Sequence, residues 1–375
     1  IHMTELALGI NGKRLELDVF VESGVYEEVS SDEFPDIETK MNIYRTKSQG
    51  AKHGSILSRL IFAVSFAVKS FFFVIQKGNT YDFIIFPTNP PFLYMLLLLF
   101  KKRRAKYILI LYDIYPEIVF RLGKLSKSSS VGLLWQKIEK MSARKADKLV
   151  VIGRDMRDLI IDKYGSDITD RISLIPNWSM DYSNSQIVPI SEFINYYGPS
   201  EKPMLLYSGT MGTTHNVEEI LELAKKLSEY NFLLVGGGAK FEKVRAASTN
   251  IPNVQVEPFV PYKFVASLLD SCKASFVCLE NSFTGLSVPS KSYGIWSAGK
   301  PIIGLVSPTS EIGLQIAESG SGLLLAGNDL NEKARELKEW LENEDFEELA
   351  VICKKLYAEK FTYEKAMFEY NKILR

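Results

Sequence analysis

The chain has 375 residues, enough for two domains of common size that each bury a core. Lys+Arg and Asp+Glu balance at 45 each, so no global charge calls for nucleic acid as a partner. Three cysteines without a C-x-x-C pair and three scattered histidines (His2, His53 and His215) argue against a disulfide framework or a zinc centre and fit a reducing cytoplasm.

Ile1–Asn11 reads as part of a helix, and the first strand pattern follows at Leu15–Val21. A doubly wound domain ordinarily opens with a strand, so this pattern predicts a strand and its glycine-rich loop upstream of Ile1. A polar, acidic loop around Ser30–Glu38 leads to a strand at Met41–Arg45 and a long helix at Gly54–Gln76. Within that helix Ile56–Gln76 is long and apolar but carries Arg59 and Lys69, which makes spanning a bilayer costly. Two readings remain open: a buried helix of the domain, or a helix resting on the inner leaflet, helped by Lys101-Lys102-Arg103-Arg104. Asp82–Phe86 predicts a buried strand and Phe92–Phe100 an apolar helix after the break at Thr88–Pro91.

Lys106–Tyr112 is the clearest buried parallel strand of this half, and it ends in Asp113-Ile114-Tyr115-Pro116-Glu117. Ligands of open α/β sheets bind beyond the carboxyl ends of strands, which makes Asp113 and Glu117 candidate substrate contacts. Trp135–Ala146 predicts a basic amphipathic helix whose face is solvated or, as the second reading, in contact with a membrane. Lys148–Ile152 predicts a strand, and Arg154 at the following turn is equally a phosphate ligand or a carboxylate partner. After the strand Ile172–Ile175 and Pro176-Asn177-Trp178 the periodicity lapses until Pro203.

From Pro203 strand patterns alternate with helices: Met204–Tyr207, Phe232–Val235, Val254–Val256, Ala274–Leu279, Ile302–Leu305 and Leu323–Leu325. This alternation predicts βαβ units and a parallel sheet. Ser208-Gly209-Thr210-Met211-Gly212 follows the first strand and Gly236-Gly237-Gly238 the second, where missing side chains let backbone N–H groups approach an anion. Asn216 and Glu219 read as a variant capping box. In Gly285–Leu305 a loop ending at Pro289 places Ser290 and Lys291 in the first turn of a short helix, a natural guest site for a phosphate-sized anion. Three such turns on one sheet edge suit a nucleotide diphosphate, its base near Phe259 and Val260. The spacing lacks G-x-G-x-x-G, against a dehydrogenase, and no carboxylate pair suggests a metal at the diphosphate.

The string P-S-K-x-Y-x4-A-G-K-P at 289–301, with Y-S-G-T-M-G at 207–212, V-G-G-G at 235–238 and N-W at 177–178, resembles glycosyltransferase family 4, in its bacterial surface-polysaccharide subgroup. The resemblance implies the α/β GT-B fold, two Rossmann-like doubly wound domains facing across a cleft. The domains are then an acceptor-side domain at 1–178, a linker at 179–202, a donor domain at 203–360, and a last helix at 361–375 that returns to the first domain. It implies transfer of a sugar, with retention and without a metal or other cofactor, from a nucleotide-diphosphate sugar. The acceptor would be a lipid-linked saccharide at the cytoplasmic face of the inner membrane.

The anion-friendly turns make Lys291, Ser290, Gly209, Thr210, Met211, Gly212, Gly237 and Gly238 the candidates for the donor phosphates, with Phe259 either stacked on the base beside Val260 or a core residue. The resemblance makes Asp113 the acceptor-side residue, with Glu117 beside it or only solvating its loop. The sequence departs from the family where two glutamates separated by seven residues are common, since Leu286 and Gly294 stand there. It departs again in the first donor turn, where Gly209–Thr213 replaces the usual Arg and Lys. A sugar-nucleotide epimerase of the same architecture and a non-catalytic partner subunit are the alternative functions.

Overall fold

The computed structural model describes residues 2–11, 16–23, 41–47, 56–100, 104–183, 185–195 and 202–375. The chain divides into two compact units. One comprises Ile1–Ile152, Arg157–Ile175 and Ala366–Arg375, the other Gly153–Met156 and Pro176–Lys365.

The first unit opens with α1 (His2–Asn11), followed by β1 (Asp18–Ser23) and β2 (Asn42–Lys47), which pair in parallel from Asp18 opposite Asn42. The expected strand upstream of Ile1, the loop at Ser30–Glu38 and Leu15 lie outside the described residues. In α2 (Ile56–Lys77), Ala63, Phe66, Ala67, Ser70 and Val74 recur at helical spacing and are buried. A separate four-stranded parallel sheet takes β3 (Phe83–Pro87), β4 (Lys106–Leu111), β5 (Lys148–Val151) and β6 (Ile172–Leu174) in sequence order. β4 is continuously apolar because every side chain after Lys106 is buried.

Two expectations for this unit need correction. The predicted apolar helix at Phe92–Phe100 is a 3₁₀ segment, Leu93–Leu98, entered through Phe92 at φ 76°. Its Leu93, Tyr94, Leu96 and Leu97 are all buried, so no single apolar face set a helical period. The basic helix starts earlier than its periodicity indicated: α3 (Glu117–Arg121) is followed by α4 (Ser130–Lys145), whose N-cap Ser129 accepts the Gly132 N–H. α5 (Arg154–Tyr164) then leads to β6.

The second unit is one six-stranded parallel sheet, β7 (Met204–Thr210), β8 (Asn231–Gly237), β9 (Val254–Glu257), β10 (Ala274–Cys278), β11 (Ile302–Leu305) and β12 (Gly322–Leu324). Its order is β12-β11-β10-β7-β8-β9, so the winding reverses between β7 and β10. Helices α6 (Glu218–Lys226), α7 (Phe241–Ser248), α8 (Val265–Asp270) and α9 (Lys291–Ser297) connect the first five strands. After α10 (Glu311–Ser319), helices α11 (Leu330–Asn343) and α12 (Phe346–Lys360) are capped by Asp329 and Asp345, each accepting two backbone N–H groups. α13 (Tyr363–Ile373) ends the chain, with Ala366–Arg375 in the first unit. Asn216 is not the cap of α6. Val217 holds that position without a side-chain bond, while Asn216 Nδ2 donates to Glu219 Oε2 at 2.6 Å.

The glycines of β7 and β8 are paired strand residues rather than turns, with Gly209 opposite Gly236 and Thr210 opposite Gly237. A Cβ on Gly236 would stand 1.9 Å from the Gly209 carbonyl oxygen, so the backbone there admits no side chain. Gly236→Ala is therefore expected to lower the stability of this unit by more than about 2 kcal/mol. Gly320→Ala in the same unit, at φ 70° with no atom within 4 Å, serves as control, carrying only the left-handed strain of about 1 kcal/mol. Hydrogen exchange of the β7 and β8 amides checks this; equal effects of the two substitutions would refute the steric reading.

Candidate active site

Open α/β sheets bind ligands at the carboxyl ends of the strands where the winding reverses. In the second unit that point lies between β7 and β10, and the loops leaving these strands carry Met211–His215 and Asn281–Ser290. Lys291 enters from the second loop. Its Nζ lies 3.9 Å from the centre of the Tyr207 ring, and a Cβ on Gly209 would fall 2.7 Å from the same nitrogen. Glycine at 209, with φ 140°, thus opens the space that the ammonium fills.

The Lys291 ammonium is buried, and among the described residues it has no hydrogen-bond partner. Loss of hydration pushes its pKa down to about 8. Among the described residues the one ionisable group that would favour its charge is the Cys278 thiol, itself pushed up to about 12 by burial and so un-ionised near neutrality. A desolvated ammonium against an aromatic face, with no carboxylate to neutralise it, is suited to an arriving anion.

Two features the sequence did not flag complete the surroundings. The Tyr207 ring that carries Lys291 is fully buried and donates its hydroxyl to Thr210 O at 2.7 Å. His215 closes the turn after β7, donating its N–H to Gly212 O at 3.1 Å. Its position three residues beyond Gly212 was the available signal. Lys240, just before α7, donates Nζ to His215 O at 2.7 Å and Glu218 Oε2 at 3.1 Å, so this cation is already engaged.

The structure disposes of the sequence candidates unevenly. Gly209, Thr210, Gly212, Gly237, Gly238 and Lys291 gather at the ends of β7 and β8. Met211 is not an anion donor: its N–H donates to Gly237 O at 2.7 Å, its carbonyl accepts from Lys240 N, and its side chain is in the core. Ser290 is the exposed N-cap of α9 and makes no side-chain cap bond. α9 offers fewer N–H groups than expected, because those of Ser292 and Tyr293 bond the Pro289 and Ser290 carbonyls. Phe259 is 59% exposed, so it is no core residue, and its ring covers Gly237, where a Cβ would meet Cε2 at 2.8 Å. Val260 beside it is half-buried.

Leu286, at one position of the family's glutamates, is buried. At the other, Gly294, the space of a side chain is taken by Ser179 Oγ and Tyr182 Cε2, both 3.0 Å from a Cβ there. Arg154 is not a phosphate ligand: Glu311 and Glu318 hold its guanidinium, and Glu311 Oε2 also accepts its backbone N–H at 2.7 Å.

In the first unit Asp113 follows β4. Thr88 Oγ1 accepts its backbone N–H at 3.2 Å and that of Tyr112 at 3.1 Å, fixing the start of the loop. The carboxyl is half-buried, and lost hydration pushes its pKa up to about 6. Glu117 is not an open acceptor contact, because Lys163 Nζ lies 2.7 Å from its Oε1 and 2.8 Å from Glu139 Oε2. Glu139 is buried and pushed up to about 8 by desolvation against the opposing pull of Lys163. A small recess is lined by Thr88, Tyr94, Asp113, Tyr115 and Glu139, among others. Among the described residues no group of three or more His, Cys, Asp or Glu is placed to hold a metal ion.

Residues 192–357 match the family "Glycosyl transferases group 1". A Pseudomonas aeruginosa protein named as a glycosyltransferase, WbjE, is 29% identical over 73% of this chain and 68% of its own length. WcaI of Escherichia coli K12, named as a colanic acid biosynthesis glycosyl transferase, is 25% identical over 75% of this chain and 71% of its own. The structure of Anabaena HepE in complex with UDP and glucose superposes with a TM-score of 0.70 at 15% identity, covering 99% of this chain and 95% of that one. The chain is thus an α/β protein of the GT-B fold, and its residues 192–357 match the group 1 glycosyl transferases.

Proposed function

We propose that the protein transfers a hexose from a nucleotide-diphosphate sugar to a lipid-linked saccharide, in assembly of a bacterial surface polysaccharide such as capsule or O-antigen. The observation that carries this reading is the buried, unpartnered Lys291 ammonium at the reversal point of the second sheet. UDP and glucose in the Anabaena structure and the colanic acid role in the name of WcaI support the donor class and the setting.

In this reading the donor diphosphate lies on Gly209, Gly212 and Gly238 with Lys291 at its charge, and the base rests against Phe259. Lys291 is aimed at the charge that develops on the departing diphosphate, in place of a metal ion. The anomeric carbon exchanges its bond to the diphosphate oxygen for one to the acceptor oxygen on the same face, and the acceptor proton leaves with the diphosphate. Asp113, at the carboxyl end of β4, is the acceptor-side residue of this reading. Nucleotide release from a panel of sugar nucleotides, with and without lipid-linked acceptor, separates this reading from its rivals. An epimerase changes the sugar without acceptor, and a partner subunit releases nothing.

The membrane side of the proposal rests on two helices of the first unit. The outward face of α2 is uncharged from Ile61 to Ile75: Ile61, Val64, Val68, Phe72 and Ile75 are exposed, Phe72 at 63%. Lys69 pairs with Glu22 at 2.9 Å, and Arg104, one of the basic residues expected at lipid, pairs with Asp82 at 3.2 Å. Lys101–Arg103 lie outside the described residues. On α4 the exposed face is not simply solvated: Val131, Leu133, Leu134 and Met141 stand among exposed Lys137 and Lys140. Apolar side chains with interspersed lysines fit the cytoplasmic face of an anionic inner membrane. Among the described residues no helix is long and apolar enough to cross a membrane.

Lys291→Met is expected to lower turnover by about two decades or more, as loss of a charge-stabilising contact in a dry site does, and to weaken nucleotide affinity. Because the free-site pKa of Lys291 is about 8, the contribution of this ammonium to affinity should be complete below pH 8 and decline above it, where an uncharged amine must take up a proton to bind the anion. Calorimetry across pH 7 to 9 measures both; unchanged affinity in the variant would remove Lys291 from the donor site.

Asp113→Asn is expected to spare donor binding and to slow transfer. Wild-type transfer should also fall as pH drops through about 6, where the carboxyl gains its proton. Loss of nucleotide affinity equal to the loss of transfer would instead make Asp113 a structural residue.

Replacing Ile61, Val64, Val68 and Phe72 with serine should reduce binding to vesicles of anionic phospholipid. Lys137→Gln with Lys140→Gln should remove part of the salt-sensitive binding, at about 1 kcal/mol per lysine. Wild-type protein that stays in solution beside such vesicles would end the membrane reading.

A further inference from the structure

The turn that follows β7 carries an imidazole to which the donor reading assigns no task. The Nδ1 edge of His215 faces Gly212: a Cβ on that glycine would stand 3.3 Å from Nδ1 and 3.8 Å from Cε1. Thr214 Oγ1 lies 3.1 Å from Nδ1. The turn is fixed on both sides, through His215 N–H to Gly212 O and Glu280 N–H to Thr214 O at 2.9 Å.

The charges around the ring come from four elements. Lys291 of α9 and Lys240 ahead of α7 act on the imidazole itself. Glu218 of α6 and Glu280, at the end of the β10 loop, face Lys240, whose Nζ is 3.1 Å and 3.6 Å from their carboxylates. Lys240 is neutralised by these acids, whereas among the described residues Lys291 has no carboxylate partner. Burial first, then Lys291 and Lys240, push His215 down to about 4, so the empty site holds one ammonium and one neutral imidazole.

We propose that His215 is a proton-linked contact for the donor diphosphate, neutral in the empty site and protonated when a nucleotide-diphosphate sugar is bound. This rests on the donor reading of the same site. An anion set between Lys291 and the Gly212 turn cancels the repulsion that keeps the ring neutral and adds an attraction of its own. An opposite charge within about 4–6 Å raises a histidine pKa by roughly one to three pH units, enough to bring protonation toward neutrality. The imidazolium then contributes the second positive charge that the first donor turn otherwise lacks, since Gly209–Thr213 contains no basic residue.

The linkage has a definite sign. A group whose pKa rises on binding strengthens binding as pH falls from the bound-state value toward the free-state value, by up to about tenfold per pH unit. The diphosphate of a nucleotide sugar has no titration near neutrality, so a proton taken up in that range belongs to the protein. Lys291 contributes its own uptake only near and above pH 8.

The test uses the intact protein with UDP-glucose and GDP-mannose as probes. His2, His53 and His215 are the histidines of the chain, so ¹⁵N-histidine spectra at pH 6.5 resolve the ring, and His215→Gln identifies its signals. The expected result is a neutral ring in the free protein and an imidazolium at saturation. Calorimetry at pH 6.5 in two buffers of different ionisation heat should show uptake of up to one proton, abolished in His215→Gln. The affinity of that variant should lose its pH dependence between 6 and 7.5 and fall about tenfold at pH 6. A ring that stays neutral at saturation overturns the proposal even if the variant folds poorly, because it is read in the wild-type protein. If neither probe binds or raises Tm, the donor reading fails and this proposal falls with it.

Discussion

An ammonium group without water or a counter-ion is costly, and the second unit is built so that Lys291 has little choice of position. Its Nζ is pressed between the Tyr207 ring and the open face of Gly209. The helix that carries it is held from behind by aromatic packing, with Phe361 at 4.6 Å from Tyr293 and 5.4 Å from Trp296 between ring centres. Ser297 adds hydrogen bonds from the same helix to Met180 O and from Tyr182 N. The desolvation that lowers the pKa of this lysine is thus imposed by rigid neighbours, and a bound anion relieves it.

The same constraint explains the glycines. Gly209 and Gly236 face each other in adjacent strands, where one backbone comes too close for a Cβ on the other, and only Gly209 also faces the lysine. Gly237 gives room to the exposed Phe259 ring, and Gly238 adopts φ 121° beside the Met211 carbonyl. Four glycines in two strand ends therefore have distinct tasks: a close strand approach, space for a cation, space for an aromatic ring, and a left-handed turn. The backbone N–H of Met211, by contrast, is consumed in holding the two strand ends together.

In the first unit, polar groups of similar chemistry are kept in different states by their surroundings. Glu117 and Glu139 share Lys163, while Asp113 has no basic partner in its pKa balance and is shifted by desolvation alone. A carboxyl near pH 6 at the end of a parallel strand is able to exchange a proton under mild conditions, and a carboxylate locked to a lysine is not. On α2 the reverse holds: its lysines turn inward to Glu22 and Asp18, leaving large apolar side chains outward. This distribution opposes the usual preference of surfaces for charge.

Much of the architecture was legible in the sequence because parallel strands buried on both faces read as continuous apolar runs, as at Lys106–Leu111 and Met204–Tyr207. The motif strings also located the Gly209, Gly237 and Lys291 regions, since glycine and a helix-initial lysine leave local marks. What the sequence could not decide was the partner of each charge. Arg154 finds Glu311 and Lys163 finds Glu117 at separations of 157 and 46 residues, and Lys291 finds none, which depends on how distant elements pack. Strand ends were misjudged for a related reason: Gly209 and Gly236 looked like turns alone and are strand residues together. His215 stayed unnoticed because an imidazole acquires its character from burial and neighbouring ammonium groups, which only the tertiary structure supplies.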